Sequence, residues 1–224
     1  MSSTPVPGAL MRLVNKTDTN LDRSKLAPSN ICPNIQKTYT AVADDNEKPD
    51  HLALYILSDI TPLTTDSELY EADKAANPDL TISWVLGAFI NGRDKSTPVT
   101  DEPSPSQPLT HDIVPGSKLV INGSTPRPDK ESDYHAWYNE EHGPGLSIVP
   151  GWNAARRYSL QKSYGGIETA NFYGFNYYDE ESGLGGPIWT KSTKTEWTFR
   201  IRGNAAKPNI RRVWKVQDFY LRHP

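Results

Sequence analysis

Apolar runs, separated by polar and proline-rich stretches, set the layout of this chain. Leu10–Val14 is a short apolar run and reads as a first strand. Asn15 to Ile35 is polar and broken by Pro28 and Pro33, so a short helix around Asp22–Leu26 is all it supports. Thr38–Val42 alternates in the manner of a strand, and DDNEKPD at 44–50 is a turn. Leu52–Leu57 is a continuous apolar run of strand length. Good helix formers with an acidic start predict a helix over Ser67–Ala76. Leu80–Ile90, with Trp84 and Phe89, closes this half as a strand.

Residues 91–116 hold five prolines together with Ser and Thr, and a linker is expected at 101–116. The pattern then resumes. Lys118–Asn122 is a strand. Asp129–Glu141 is a helix with acids in its first turn, which the Gly143-Pro144-Gly145 break is expected to end. Asn153–Leu160 is a strand, Ser163–Gly166 a turn, Ala170–Tyr178 an aromatic strand, Ile188–Ile201 a helix and Ile210–Phe219 the last strand.

Each half therefore reads β-α-β-β-α-β. Echoes between the halves support a repeat: Trp84/Phe89 with Trp214/Phe219, Leu54-Tyr55 with Phe172-Tyr173, and Arg12-Leu13-Val14 with Lys118-Leu119-Val120. Leu13 and Leu119 are 106 apart, but Tyr39 and Tyr158 are 119 apart, so the second half gains 13 residues between its first two strands. That gain is about the size of the Asp129–Glu141 helix, so a site built on this helix occurs once per chain. A β-α-β-β-α-β unit is a four-stranded antiparallel sheet with both helices on one face. Two bare faces brought together close a barrel. The expected fold is α+β: two fused ferredoxin-like repeats, residues 1–100 and 117–224, forming an intrachain barrel, with the first repeat as its wall and lid.

Composition narrows the function classes. Net charge is −3 with no basic excess, which disfavours nucleic acid as a partner. A single cysteine, Cys32, excludes an intrachain disulfide and suits a reducing cytoplasm. No signal-like start and no long apolar window is read, so no membrane association is expected. Aromatics, mostly Tyr and Trp, make up 10% and suit a pocket for a flat, partly polar ligand. No metal is expected, because His135 and His142 are seven apart rather than four. Gly183-Leu-Gly-Gly186 is no phosphate loop, and no G-x-S-x-G elbow exists.

The richest stretch is DYHAWYNEEHGPGLSIVPGWNAARRY, residues 133–158. It resembles EthD-like proteins of the dimeric α+β barrel superfamily. The likeness rests on Asp133, Trp137, Tyr138, Glu141, His142, Pro144 and Leu146, then Val149-Pro150-Gly151-Trp152 and Arg156-Arg157-Tyr158. The element order extends it over 117–219. The first half lacks the W-Y-x-x-E-H pattern. Length and tandem layout resemble two-repeat members encoded mainly by fungi. The resemblance implies a cofactor-free protein acting on polyketide-like or other secondary-metabolite intermediates by cyclisation, decarboxylation, dehydration or isomerisation, with oxygenation in some relatives. It makes His142 the candidate acid/base.

On the predicted helix His135, Tyr138 and His142 share a face. A helix C-terminus at His142 favours imidazolium, with Glu141 beside it, and His142 is expected at the barrel mouth. Tyr138 is the candidate to bind a carbonyl or enolate oxygen. Arg156 and Arg157 point to opposite faces of their strand, so one of them enters the barrel to hold a carboxylate or phenolate. Trp137, Tyr173 and Phe175 complete the expected substrate site. The partner is a small molecule and the protein a monomer or homodimer. A non-catalytic binding barrel is the competing reading.

Overall fold

The computed structural model describes residues 4–15, 23–95 and 106–221. Eight strands form it: β1 (Gly8–Asn15), β2 (Ile35–Ala43), β3 (His51–Leu57), β4 (Thr81–Asp94), β5 (Lys118–Ser124), β6 (Trp152–Tyr164), β7 (Phe172–Tyr178) and β8 (Ile210–Leu221). All pairings are antiparallel, and the strands close as β1-β3-β2-β8-β5-β7-β6-β4. Each half contributes a sheet of the ferredoxin-like order, and the halves are stitched at β2–β8 and β4–β6. The expected fold is therefore the observed one, and closure removes every sheet edge.

The period of two sorts side chains between two compartments. Met11, Leu13, Leu54, Leu119, Ile121, Phe175 and Trp214 belong to one buried cluster drawn from β1, β3, β5, β7 and β8, which fills the barrel. Their neighbours face outward, under helices. In β7 all seven residues are buried, because the sheet is covered on both sides.

The helices differ sharply between halves. Between β1 and β2 the described residues hold one turn, α1 (Arg23–Leu26); Asp22 lies outside the described residues. The β3–β4 connection holds α2 (Thr61–Thr65) and α3 (Glu68–Ala76). Between β5 and β6 run a short turn at Pro128–Lys130, α4 (Glu131–Trp137), a π-helical turn at Tyr138–His142 and α5 (Gly143–Ser147). The extra length of the second half is this helical run.

The expected single helix at Ile188–Ile201 is two, α6 (Pro187–Thr193) and α7 (Glu196–Gly203). Thr195 caps α7 by accepting from the Thr198 backbone N–H, so a threonine that weakens helix interiors here starts a new one.

Three further readings are corrected. Gly143-Pro144-Gly145 does not end the motif helix. Gly143 is right-handed helical (φ −60°, ψ −51°), and the wide turn before it absorbs the backbone donor that Pro144 lacks. Gly143 is required for space, since a β-carbon there would lie 2.8 Å from the Tyr138 carbonyl oxygen. Trp84 and Trp214 are not equivalent. Trp84 lies on the helix side of the first sheet and Trp214 inside the barrel, because an odd shift of register reverses the face. In the expected linker, 106–116 is packed rather than loose. Ile113 joins the barrel core, and the buried Gln107 amide donates to the carbonyls of Gly8 and Leu57.

The first helix layer is sealed. Arg12 projects outward from β1 and is fully buried, with Nε and Nη2 donating to the Asp73 carboxylate of α3 at 2.7 and 2.8 Å. Trp84 Nε1 donates to the same carboxylate at 2.9 Å, and Tyr70 packs edge-on against Trp84.

Candidate active site

The second helix layer is not sealed. A cavity of about 120 Å³ lies between the outer face of β5, β7 and β8 and the helices α4–α7, with Trp137, Tyr138, His142, Asn176, Trp189 and Arg202 in its wall. Every lining residue comes from the second half, Val120 to Arg211. Among the described residues the first half supplies no lid. The site therefore lies outside the barrel, not at its mouth.

The motif helix divides its work. One set of side chains ties it to α7: Asp133 accepts from Trp197 Nε1 (2.9 Å) and from Arg200, Trp137 Nε1 donates to the Thr198 hydroxyl (3.2 Å), and Glu141 accepts from the Thr195 hydroxyl (2.6 Å). Glu141 is thus a strut between helices rather than an assistant to His142. The other set, Tyr138 and His142, faces the cavity, their rings 5.5 Å apart and 70° inclined. His135 packs edge-on against Phe172 and contacts Arg157 instead. The π turn re-phases the helix, so the i, i+3, i+7 spacing does not bring all three together.

His142 stacks on Trp137 with ring centroids 4.2 Å apart and is 9% exposed. It sits within the helical run, not at its end, so no C-terminal dipole charges it. Burial instead pushes its pKa down to about 4. A hydrogen bond to the Ser192 backbone opposes this, and the nearby positive charge of Arg202 and Arg157 adds to it. The ring is neutral at pH 7, the reverse of the readily charged imidazole expected. Nδ1 is buried with no partner among the described residues. Nδ1, the ring nitrogen without a partner, is the one left to accept a proton.

The Tyr138 hydroxyl likewise makes no hydrogen bond of normal geometry among the described residues, although the Asn176 side chain lies close enough to favour its charged form. Burial raises its pKa to about 12, with Arg157 opposing, so it is a donor at neutral pH. Its room comes from β7, where a β-carbon at Gly174 would lie 2.8 Å from the hydroxyl oxygen. Gly174→Ala will push the ring into the cavity. The expected cost is about 1–3 kcal/mol of stability together with weakened ligand binding, read by thermal melting and titration. Unchanged binding would show that the ring position is unimportant.

The remaining expected residues separate. Arg157 faces the helices, its guanidinium 4.3 Å from the Tyr138 ring centroid, donating to Asn139 Oδ1 (3.0 Å) and His135 Nδ1 (2.6 Å). Arg156 is the arginine that turns inward, where Asp94 accepts from it at 2.5 Å and the Pro108 carbonyl at 3.0 Å. Tyr173 and Phe175 also point into the barrel, while Asn176 and Tyr178 on the other face of β7 line the cavity. Trp137 is in the wall, as expected. Trp189, Arg202 and Arg211 went unassigned from sequence. Their only signal is that Arg202 closes α7 and Arg211 opens β8, two ends that meet only in the fold.

Among the described residues no group of three or more His, Cys, Asp or Glu side chains could hold a metal, and no helix is long and apolar enough to cross a membrane.

No family model matches the chain, and no curated protein matches it by sequence. Solved structures do resemble it. An anthrone oxidase-like protein superposes with a TM-score of 0.63 at 13% identity, over 96% of this chain and 93% of the other. A protein assigned as a monooxygenase from Fusobacterium nucleatum gives 0.61 at 8% identity, over 98% and 96%. A chlorite dismutase from Candidatus Nitrospira defluvii gives 0.56 at 7%, over 95% and 92%. At such identities the likeness is one of fold. The chain therefore shares their fold, an α+β architecture around a closed eight-stranded antiparallel barrel.

Proposed function

We propose that the chain is an enzyme of the EthD-like kind: a lyase or isomerase acting without a cofactor on a polyketide-like or other enolisable aromatic intermediate. The observation carrying this reading is the pair of unpartnered groups in one buried cavity, a neutral imidazole acceptor at His142 and a phenol donor at Tyr138. Buried polar groups left unpaired cost stability, and groups of opposite hydrogen-bonding sense suit an acid/base pair.

In this mechanism His142 Nδ1 takes a proton from carbon next to a substrate carbonyl. The C–H electron pair moves into the enolate, whose oxygen accepts from the Tyr138 hydroxyl. The imidazolium formed is disfavoured by burial and by Arg202 and Arg157, so it returns the proton promptly. Return to a different carbon is isomerisation; delivery to a leaving hydroxyl is dehydration. Either outcome restores neutral His142. The proposed partner is thus a small molecule, with the protein acting in the cytoplasm as a monomer or homodimer.

The base must be unprotonated, and its pKa is depressed. kcat/KM is therefore expected to be flat across neutral pH and to fall as pH drops through about 4, which a pH–rate series checks. A fall centred near 6.5 would contradict a buried His142 as the base.

A second reading draws on the fold relatives named for anthrone oxidase and monooxygenase activity. The same deprotonation would yield a carbanion that dioxygen attacks. Metabolite comparison of a producing strain with and without the gene supplies the test compound. Pure protein is expected to consume it with no oxygen uptake. Uptake of one dioxygen per turnover would favour the oxygenase, and no accumulating compound would overturn the enzymatic reading.

A further inference from the structure

Beside the cavity lies an open surface hollow of about 510 Å³, lined by Ala205 to Asn209 together with Asn122, Arg202 and Arg211. Asn122, Arg202, Asn209 and Arg211 also line the cavity, so the hollow adjoins it across shared residues, and we take it as the way in. Three cations stand there, Arg202, Lys207 and Arg211, and among the described residues no acidic one lines it. Among the described residues no carboxylate lies within 4 Å of Arg202 or Arg211, whereas Arg12, Arg127, Arg156, Arg200 and Arg212 each pair with one. Arg202 gives one donor to the Thr193 carbonyl (3.2 Å), and Arg211 lies 5.8 Å from the centre of the Trp189 ring. This cluster runs against a chain whose net charge is −3. Further in, the walls are flat and aromatic: Tyr134, Trp137, Tyr178 and Trp189.

A flat apolar slot behind a cationic entrance selects a planar molecule with an anionic end. We propose that the compound bound here is an aromatic carboxylate or similarly acidic aromatic, its ring under the helices and its anionic group held by Arg202 and Arg211. The inference rests on the reading of this cavity as the substrate site and names the substrate class. Guanidinium forks match carboxylate geometry, and both are exposed enough to be reached from solvent. The bound anion also places a countercharge near His142, offsetting the positive charge that opposes its protonation.

The test uses the full chain with benzoate and with benzamide, which has the same shape and no charge, by calorimetric titration at low salt. Benzoate is expected to bind at least about tenfold more tightly than benzamide, with the difference shrinking as salt rises. R202Q/R211Q should bring benzoate down to the benzamide level and leave benzamide unchanged. Arg211→Glu should shift the preference towards benzamidinium. Equal binding of the two probes, binding of neither, or a benzoate preference that survives in R202Q/R211Q would overturn the proposal. If the preference holds while a His142 variant turns over its substrate at the wild-type rate, the acid/base reading falls and the anion site stands.

Discussion

His142→Phe is expected to lower turnover of the accumulating metabolite by about 10²–10⁴-fold, the usual contribution of a positioned proton-transfer group. Phenylalanine preserves the stack on Trp137 and the fill of the cavity wall, so the loss reports the missing Nδ1 rather than a collapsed pocket. A second readout separates chemistry from folding. A histidine held near pKa 4 in the fold but near 6.5 when unfolded stabilises the protein fully above pH 6.5, and that stability is lost as pH falls towards 4. The wild type should therefore lose about 3 kcal/mol more than the variant between pH 7 and pH 4. Equal acid sensitivity, with unchanged turnover, would remove His142 from both roles.

Asp73→Ala is expected to cost about 3–5 kcal/mol, because it strands the fully buried Arg12 guanidinium without its counter-ion. The Trp84 indole N–H loses its acceptor at the same stroke. For a chain of this size the melting temperature should fall by roughly 6–20 °C. The pair Arg12→Met with Asp73→Leu should recover most of the loss, since an apolar pair of similar volume leaves no charge behind. A melting temperature within about 2 °C of wild type in Asp73→Ala would show that the network does not hold the first helix layer. The two substitutions test the asymmetry of the molecule: one helix layer closed by an ion pair, the other left open around a histidine.

Much of the fold was legible because period-two patterning and the turn residues act locally. All eight strands overlap the apolar runs and aromatic alternation that predict them, though β4 runs on to Asp94 and β6 to Tyr164, into the expected turn, and the 106 and 119 offsets match the helical insertion of the second half. The site was legible as a motif but not as a place. Tyr138 and His142 do meet in one cavity. That cavity lies outside the barrel, whereas Tyr173, Phe175 and Arg156 point into the barrel. Those residues are one position away from the outward face, and the sign of the alternation cannot be read when both faces are apolar. The charge state of His142 was misread for a related reason. A Gly-Pro-Gly sequence ends most helices, but here a π turn carries the helix past it and buries the ring. Arg202 and Arg211 left no local trace, because the entrance they share forms only when α7 and β8 pack together.

The most direct test of this acid/base site follows His142 itself. Protein with carbon-13-labelled histidine is titrated by NMR, the His142 signal being the one missing in His142→Phe. The ring is expected to stay neutral down to about pH 5, and its signal to move when benzoate is added. A His142 signal that titrates near 6.5 and is indifferent to benzoate would contradict it.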